Sequence, residues 1–207
     1  KLEAKMSLHK LSKKERNVFL GLERSYCWPN RLEHALSFVK ISKKSKILDV
    51  GAGKSAWIGK KKYEKNYYCL DYGDSYTISK DNSYILDKKC DFEKEDLPYK
   101  DNTFDVVICL DVLEHLENPH KLLSELFRIS SKDVIVSLPN NWVKFIKSLI
   151  VGKNITHSAG YGLYPKPHPA GQRHKYWFNY SEGREFLLSQ RPEGFSVEDI
   201  IPRFEFL

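Results

Sequence analysis

Five short apolar runs, at residues 46–50, 67–70, 83–86, 104–110 and 133–138, alternate with helical or polar segments along the middle of the chain. Runs of this length, joined by stretches that can hold a helix, imply parallel strands connected by right-handed crossovers and hence a three-layer α/β fold. Residues 118–129 give the clearest crossover helix. Asn118 stands at its cap, Pro119 in its first turn, and Leu122, Leu123, Leu126 and Phe127 on one face. Residues 6–40 are expected to hold one or two helices packed outside the sheet. Residues 1–5, ahead of Met6, read as an addition preceding a native start.

Beyond residue 151 the pattern changes. Residues 152–173 are rich in glycine and carry Pro165, Pro167, Pro169, His157 and His168, too irregular for a regular element. A loop of this length usually covers a ligand or moves, so 152–178 is expected to be a substrate lid. A capped helix over 181–189 follows, then a strand pair at 195–201 and 204–207 about Pro202. There is no internal repeat, and 41% hydrophobic content with 13% aromatics suits one domain over 1–207.

The 34 Lys and Arg against 27 Asp and Glu give a net charge of +7. The lysines are spread over 10–14, 43–46 and 60–65, with few arginines and no repeated interleaving of basic and aromatic residues, the pattern of a solvated surface more than of a nucleic-acid-binding face. No apolar stretch approaches the ~20 residues of a membrane span. The longest, 143–151, is broken by Lys144 and Lys147. Cys27, Cys69, Cys90 and Cys109 lack metal-ligand spacing and read as reduced, packed thiols, so the expected compartment is the cytoplasm and no metal is expected.

The first run ends Asp49-Val50-Gly51-Ala52-Gly53, and the acid ending the second, Asp71, comes 22 positions after Asp49. Two glycines permit a sharp turn with bare backbone N–H groups facing a ligand, and Asp71 could accept the hydroxyls of a ribose. An ordinary tight turn and a solvated strand end are the plainer alternatives. Gly-Lys-Ser at 53–55 suggests a phosphate loop, but that loop needs a glycine where Leu48 stands. The dinucleotide fingerprint fits loosely, with Ala56 in place of its third glycine.

Further along stand Cys90-Asp91-Phe92, Asp96-Leu97-Pro98-Tyr99, Asp101-Asn102-Thr103-Phe104-Asp105-Val106-Val107 and Asp111-Val112-Leu113-Glu114-His115-Leu116. With the glycine turn, this ordered set resembles the class I S-adenosylmethionine-dependent methyltransferases, of the broad type 11-like group, over about residues 41–142. The resemblance implies a Rossmann-like fold whose mostly parallel seven-stranded sheet ends in an antiparallel strand pair. It also implies S-adenosylmethionine as cofactor. Asp49, Gly51, Ala52 and Gly53 would then approach the methionyl part, Asp71 and Tyr72 the ribose, Asp91 and Phe92 the adenine, and Asp111 and Val112 the transferable methyl. Asp91 could equally be a loop acid among Asp87, Glu93 and Glu95, and Leu110 reads as packing.

Methyl transfer from a sulfonium needs an aligned nucleophile and, for a hydroxyl, a base. His115 lies in the family pattern, where it tends to support the turn after the fourth strand. His174, in Gly171-Gln172-Arg173-His174-Lys175-Tyr176, is the other candidate, or a histidine satisfied in an aromatic cluster. Asn140, Arg173 and Tyr176 are the expected acceptor-binding residues, with Asn140 alternatively capping a helix. The expected reaction is O-methylation of a small-molecule or glycan-precursor acceptor, with an anionic sugar derivative favoured by the basic surface. Methylation of a quinone or lipid precursor, or cofactor binding without catalysis, are the alternatives.

Overall fold

The structure, a computed structural model, describes residues 28–53, 56–72, 86–139, 146, 149–152, 174–176 and 178–195. In chain order the elements are α1 (Trp28–Leu36), β1 (Ile47–Val50), α2 (Ala56–Tyr63), a 3-10 turn (Glu64–Asn66), β2 (Tyr67–Asp71) and β3 (Lys88–Lys89). They continue with β4 (Phe104–Leu110), a second 3-10 turn (Leu113–His115), α3 (Pro119–Ile129), β5 (Ser130–Ser137) and α4 (Tyr180–Ser189). The five described strands form one sheet in the order β3-β2-β1-β4-β5, every pair parallel.

Alternation along the strands makes the three layers. Leu48, Val50, Leu70, Val107 and Cys109 face one side, where they pack with Leu122, Leu123, Leu126 and Ile129 of α3. Ile47, Tyr67, Cys69, Val106 and Ile108 face the other, against Leu32, Ala35 and Leu36 of α1 and Ala56 of α2. With helices on both faces, a central strand such as β1 is buried at every position, which is why its sequence reads as a continuous run.

Helix α3 has its expected cap, with the Asn118 side chain accepting from the Lys121 N–H and Pro119 in the first turn. Helix α4 begins one residue earlier than expected. Asn179 accepts from the Glu182 N–H while the Glu182 side chain accepts from the Asn179 N–H, a reciprocal capping box.

Two strands differ from their expected bounds. Of the third expected strand, 83–86, only Leu86 is described, and the described pairing in this region is at Lys88–Lys89. The Asp87 carboxylate accepts the Cys69 N–H at 2.7 Å while the Asp87 N–H donates to Cys69 O, so a side chain occupies the first pairing position and the ladder starts one residue later. Strand β5 starts at Ser130, directly from α3, and its register with β4 is irregular between Phe104 and Val106. The Ser130 and Ser131 hydroxyls, donating to Asp133 O and Phe104 O at 3.0 Å, give the backbone acceptors partners across that irregularity.

Of the expected strand pair at 195–201 and 204–207 only Phe195 is described, its N–H turned back to Pro192 O. Of the expected N-terminal helices, α1 is described, and most of the expected lid lies outside the described residues. Among the described residues no helix is long and apolar enough to cross a membrane.

Candidate active site

Strand order reverses between β1 and β4, and in open α/β sheets ligands bind beyond the carboxyl ends of the strands at such a switch point. The residues leaving those two strands meet. Gly51 follows β1 with φ +70°, and a Cβ there would collide with the Val112 side chain two residues beyond β4. The absence of a side chain at 51 is what lets the two turns close on each other.

The bare N–H groups expected in the glycine turn are not free. Gly51 and Ala52 both donate to Leu70 O, at 2.8 and 3.3 Å, and Gly53 donates to Asp71 Oδ2 at 2.9 Å. The turn is tied to the end of β2, and this answers the backbone's need for partners inside the protein. What the turn offers a ligand is space. Gly53 has φ +48°, and a Cβ there would meet no atom of the described residues within 4 Å.

Asp49 sits beneath this turn. It is 2% exposed, on the α2 face of the sheet, and accepts a hydrogen bond from the Tyr67 hydroxyl at 2.5 Å. Tyr67 is fully buried, and burial, followed by the neighbouring Asp49 charge, pushes its hydroxyl well above the ordinary tyrosine range. Asp71, 9% exposed, accepts Gly53 N–H on one oxygen and Tyr72 N–H on the other at 2.7 Å, so both backbone segments converge on its carboxylate. Tyr72 itself is half exposed at the rim.

Asp91 opens a tight turn after β3. Its Oδ1 accepts from Glu93 N–H and its Oδ2 pairs with Lys94 at 3.0 Å. The Lys94 hydrogen bond is the main reason its carboxyl lies below the usual carboxylate range. Phe92 is buried in the α3-side core. The loop onward to β4 is fastened by Arg128 of α3, which donates to Leu97 O and Tyr99 O and pairs with Asp101 and Glu125.

At the end of β4, Asp111 adopts φ +54°, a left-handed conformation that short polar residues tolerate. Its Oδ1 accepts from the Ser137 hydroxyl at 2.5 Å, and its N–H donates to Ser137 O at 3.2 Å. The following 3-10 turn carries Glu114, fully buried, and His115, partly exposed. Against it lies the segment 174–176. Lys175 N–H donates to Glu114 O at 2.7 Å, and the His115 and His174 rings meet edge to face with centroids 4.7 Å apart. The two histidines picked out separately in the sequence are therefore neighbours. Burial lowers the Lys175 ammonium, but its bonds to Glu117 and Glu93 outweigh this and hold it above its ordinary value. Tyr176 donates to Glu117 O at 2.8 Å.

Asn140 and Arg173 lie outside the described residues, as do Lys54, Ser55 and the Trp57 side chain. Three partners were not foreseen: Tyr67 for Asp49, Ser137 for Asp111, and Glu114 beside both histidines. Tyr67 was open to inference, since it alternates with Cys69, the register partner of Asp49, and so shares its face.

Residues 48–138 match the methyltransferase domain family. The chain is similar to an uncharacterised protein of Methanocaldococcus jannaschii, 38% identical over 89 residues that cover 33% of this chain and 39% of that protein. It is also similar to the sterol 24-C-methyltransferase of Schizosaccharomyces pombe, 34% identical over 112 residues, 48% of this chain and 29% of that enzyme. The chain thus spans well under half the length of either relative. Among solved structures, its fold is like that of a Thermotoga maritima S-adenosylmethionine-dependent methyltransferase, with TM-score 0.54 and 16% identity over 86% of this chain and 75% of that one. The match of residues 48–138 to the methyltransferase domain family, together with the parallel sheet, makes this chain similar in sequence and fold to the S-adenosylmethionine-dependent methyltransferases.

Proposed function

We propose that this protein catalyses methyl transfer to an oxygen of a small-molecule or glycan-precursor acceptor. The observation that carries the reading is the convergence of His115 and His174, 4.7 Å apart, just beyond the Val112 side chain that packs on the glycine turn. When bound, S-adenosylmethionine would supply an electrophilic methyl group for transfer to the acceptor oxygen. The residues of this chain would hold the two reactants in line and deal with the hydroxyl proton. Gly53 leaves room for the cofactor, Asp71 stands ready for its ribose, and the paired histidines mark where the acceptor's oxygen is handled.

Arg173 and the basic surface favour an anionic acceptor such as a phosphorylated or nucleotide-linked sugar. The buried thiols Cys69, Cys90 and Cys109 fit a reducing compartment, the cytoplasm. Turnover of labelled methyl on phosphorylated and neutral sugar acceptors tests the acceptor class; equal rates remove the anionic preference. Failure of S-adenosylhomocysteine to bind in calorimetry removes the reading altogether.

A second reading has its own observation. Ile146, Leu149, Ile150 and Val151, in the segment following β5, are all at least half exposed. Such a patch suits a lipid or quinone precursor, a chemistry consistent with the similarity to a sterol methyltransferase. Faster methylation of lipid-extract acceptors than of sugar acceptors would favour it.

A further inference from the structure

We propose that Glu114, His115 and His174 form a binding site for one divalent transition-metal ion beside the acceptor. Ligand atoms from the three side chains all lie within 4.8 Å of one another, with His115 Nε2 3.8 Å from Glu114 Oε1. Metal–ligand bonds of about 2.1 Å place donors about 3 to 3.5 Å apart, so side-chain rotations of roughly an ångström close the set onto an ion. Two imidazoles and one carboxylate are a donor set that borderline ions such as zinc, cobalt, manganese or ferrous iron accept, with coordination positions left over for other ligands.

The local fold holds these donors together. Glu114 and His115 share a short 3-10 turn anchored by buried Leu113 and Leu116. His174 comes from far along the chain and is pinned by the Lys175 N–H bond to Glu114 O. The Lys175 ammonium is drawn aside by Glu93 and Glu117. A carboxylate as deeply buried as Glu114 favours a cation beside it, and both histidines are partly buried with it. The spacing of residue types in the sequence gives no sign of the site, because its third donor arrives only through the fold.

The site rests on the proposed reading that the acceptor is handled at this histidine pair. A hydroxyl bound to such an ion would release its proton to water more readily, so the ion would activate an oxygen acceptor, and the histidines would serve as its ligands.

Cobalt(II) is the probe. The full chain, first stripped with a chelator, is titrated with cobalt while its visible absorption is followed. S-adenosylhomocysteine binding is measured in parallel by calorimetry. The expected result is one cobalt per chain with ligand-field bands of a histidine-containing site. His174→Ala should weaken binding by more than the roughly 100-fold that loss of a mere neighbour can bring, and leave S-adenosylhomocysteine affinity within about two-fold. His115→Ala should behave likewise, and His174→Gln replaces His174→Ala if the latter loses S-adenosylhomocysteine binding. Cobalt affinity equal in wild type and variants, or no cobalt binding by wild type, overturns the metal site while leaving the methyltransferase reading intact. Normal cobalt binding without S-adenosylhomocysteine binding overturns the methyltransferase reading and leaves the metal site standing.

Discussion

The Tyr67 hydroxyl donates to Asp49 Oδ2 at 2.5 Å, at a point where both side chains are withdrawn from water. Asp49 belongs to the segment that begins the glycine turn, and Tyr67 begins the neighbouring parallel strand, so the bond locks β2 to β1 directly beneath that turn. A buried carboxylate needs such a donor, since an ionised group left without one pays a large desolvation cost.

Tyr67→Phe keeps the ring but removes that donor, and is expected to cost about 1 to 3 kcal/mol in urea unfolding. The pair also sets a pH dependence. The folded hydroxyl titrates well above the unfolded value near 10, so its stabilising contribution is complete below about pH 10 and is lost as the pH rises toward the folded value. Melting temperature measured from pH 8 upward should fall in the alkaline range for the wild type and fall less steeply for Tyr67→Phe. Parallel curves would show that the buried hydroxyl does not carry the alkaline loss.

Gly51 and Gly53 both have positive φ, yet their substitutions should differ. Gly51→Ala adds a collision with Val112 to backbone strain, so a loss of stability well beyond the ~1–2 kcal/mol of strain alone is expected, with cofactor binding lost as the turn is displaced. Gly53→Ala meets no atom of the described residues, so strain is the expected cost and the fold should persist. Its new methyl group enters the space assigned to the ligand, and S-adenosylhomocysteine affinity is expected to fall at least about 10-fold, a loss of about 1.4 kcal/mol. Unchanged affinity in calorimetry would move the ligand away from this turn.

Asp71→Asn tests the other wall of the site. An amide presents one acceptor oxygen and one donor nitrogen, so it cannot accept from both Gly53 N–H and Tyr72 N–H as the carboxylate does. It also loses the charge that would accept ribose hydroxyls. Affinity for both S-adenosylhomocysteine and adenosine is expected to drop roughly 10-fold or more. A drop confined to S-adenosylhomocysteine would assign Asp71 to the methionyl end.

The contrast between Asp71 and Glu114 shows what the sequence could and could not carry. Asp71 was legible because it ends an apolar run at a fixed distance from another, and parallel strands bring run ends together at one edge of the sheet. The helix at Pro119–Ile129 was legible for a similar local reason, its cap and apolar face lying within one segment. The meeting of Glu114, His115 and His174 depends on how the segment at 174–176 folds back on the turn after β4, which no local pattern encodes. The short described pairing at Lys88–Lys89 was not foreseen because Asp87, a residue disfavoured in strands, makes the first pairing contact through its side chain. The internally bonded N–H groups of the glycine turn were missed because their acceptors, Leu70 O and Asp71 Oδ2, belong to a different strand.

The approach to β4 depends on one guanidinium. Arg128 is held far above its ordinary range chiefly by its hydrogen bond to Glu125, and it donates to Leu97 O at 3.0 Å and Tyr99 O at 2.8 Å. Glu125 in turn accepts the Leu97 N–H at 2.9 Å, so both backbone groups of Leu97 are satisfied by this ion pair. Arg128→Met preserves much of the stem and removes the donors, leaving two carbonyls and the Glu125 carboxylate without them. The expected cost is about 2 kcal/mol, moderated because the side chain is 30% exposed. Hydrogen exchange should locate the effect: faster exchange at Leu97 and Tyr99, with the amides of β1 unchanged. If exchange quickened equally along β1, Arg128 would be supporting the whole sheet and not this loop alone.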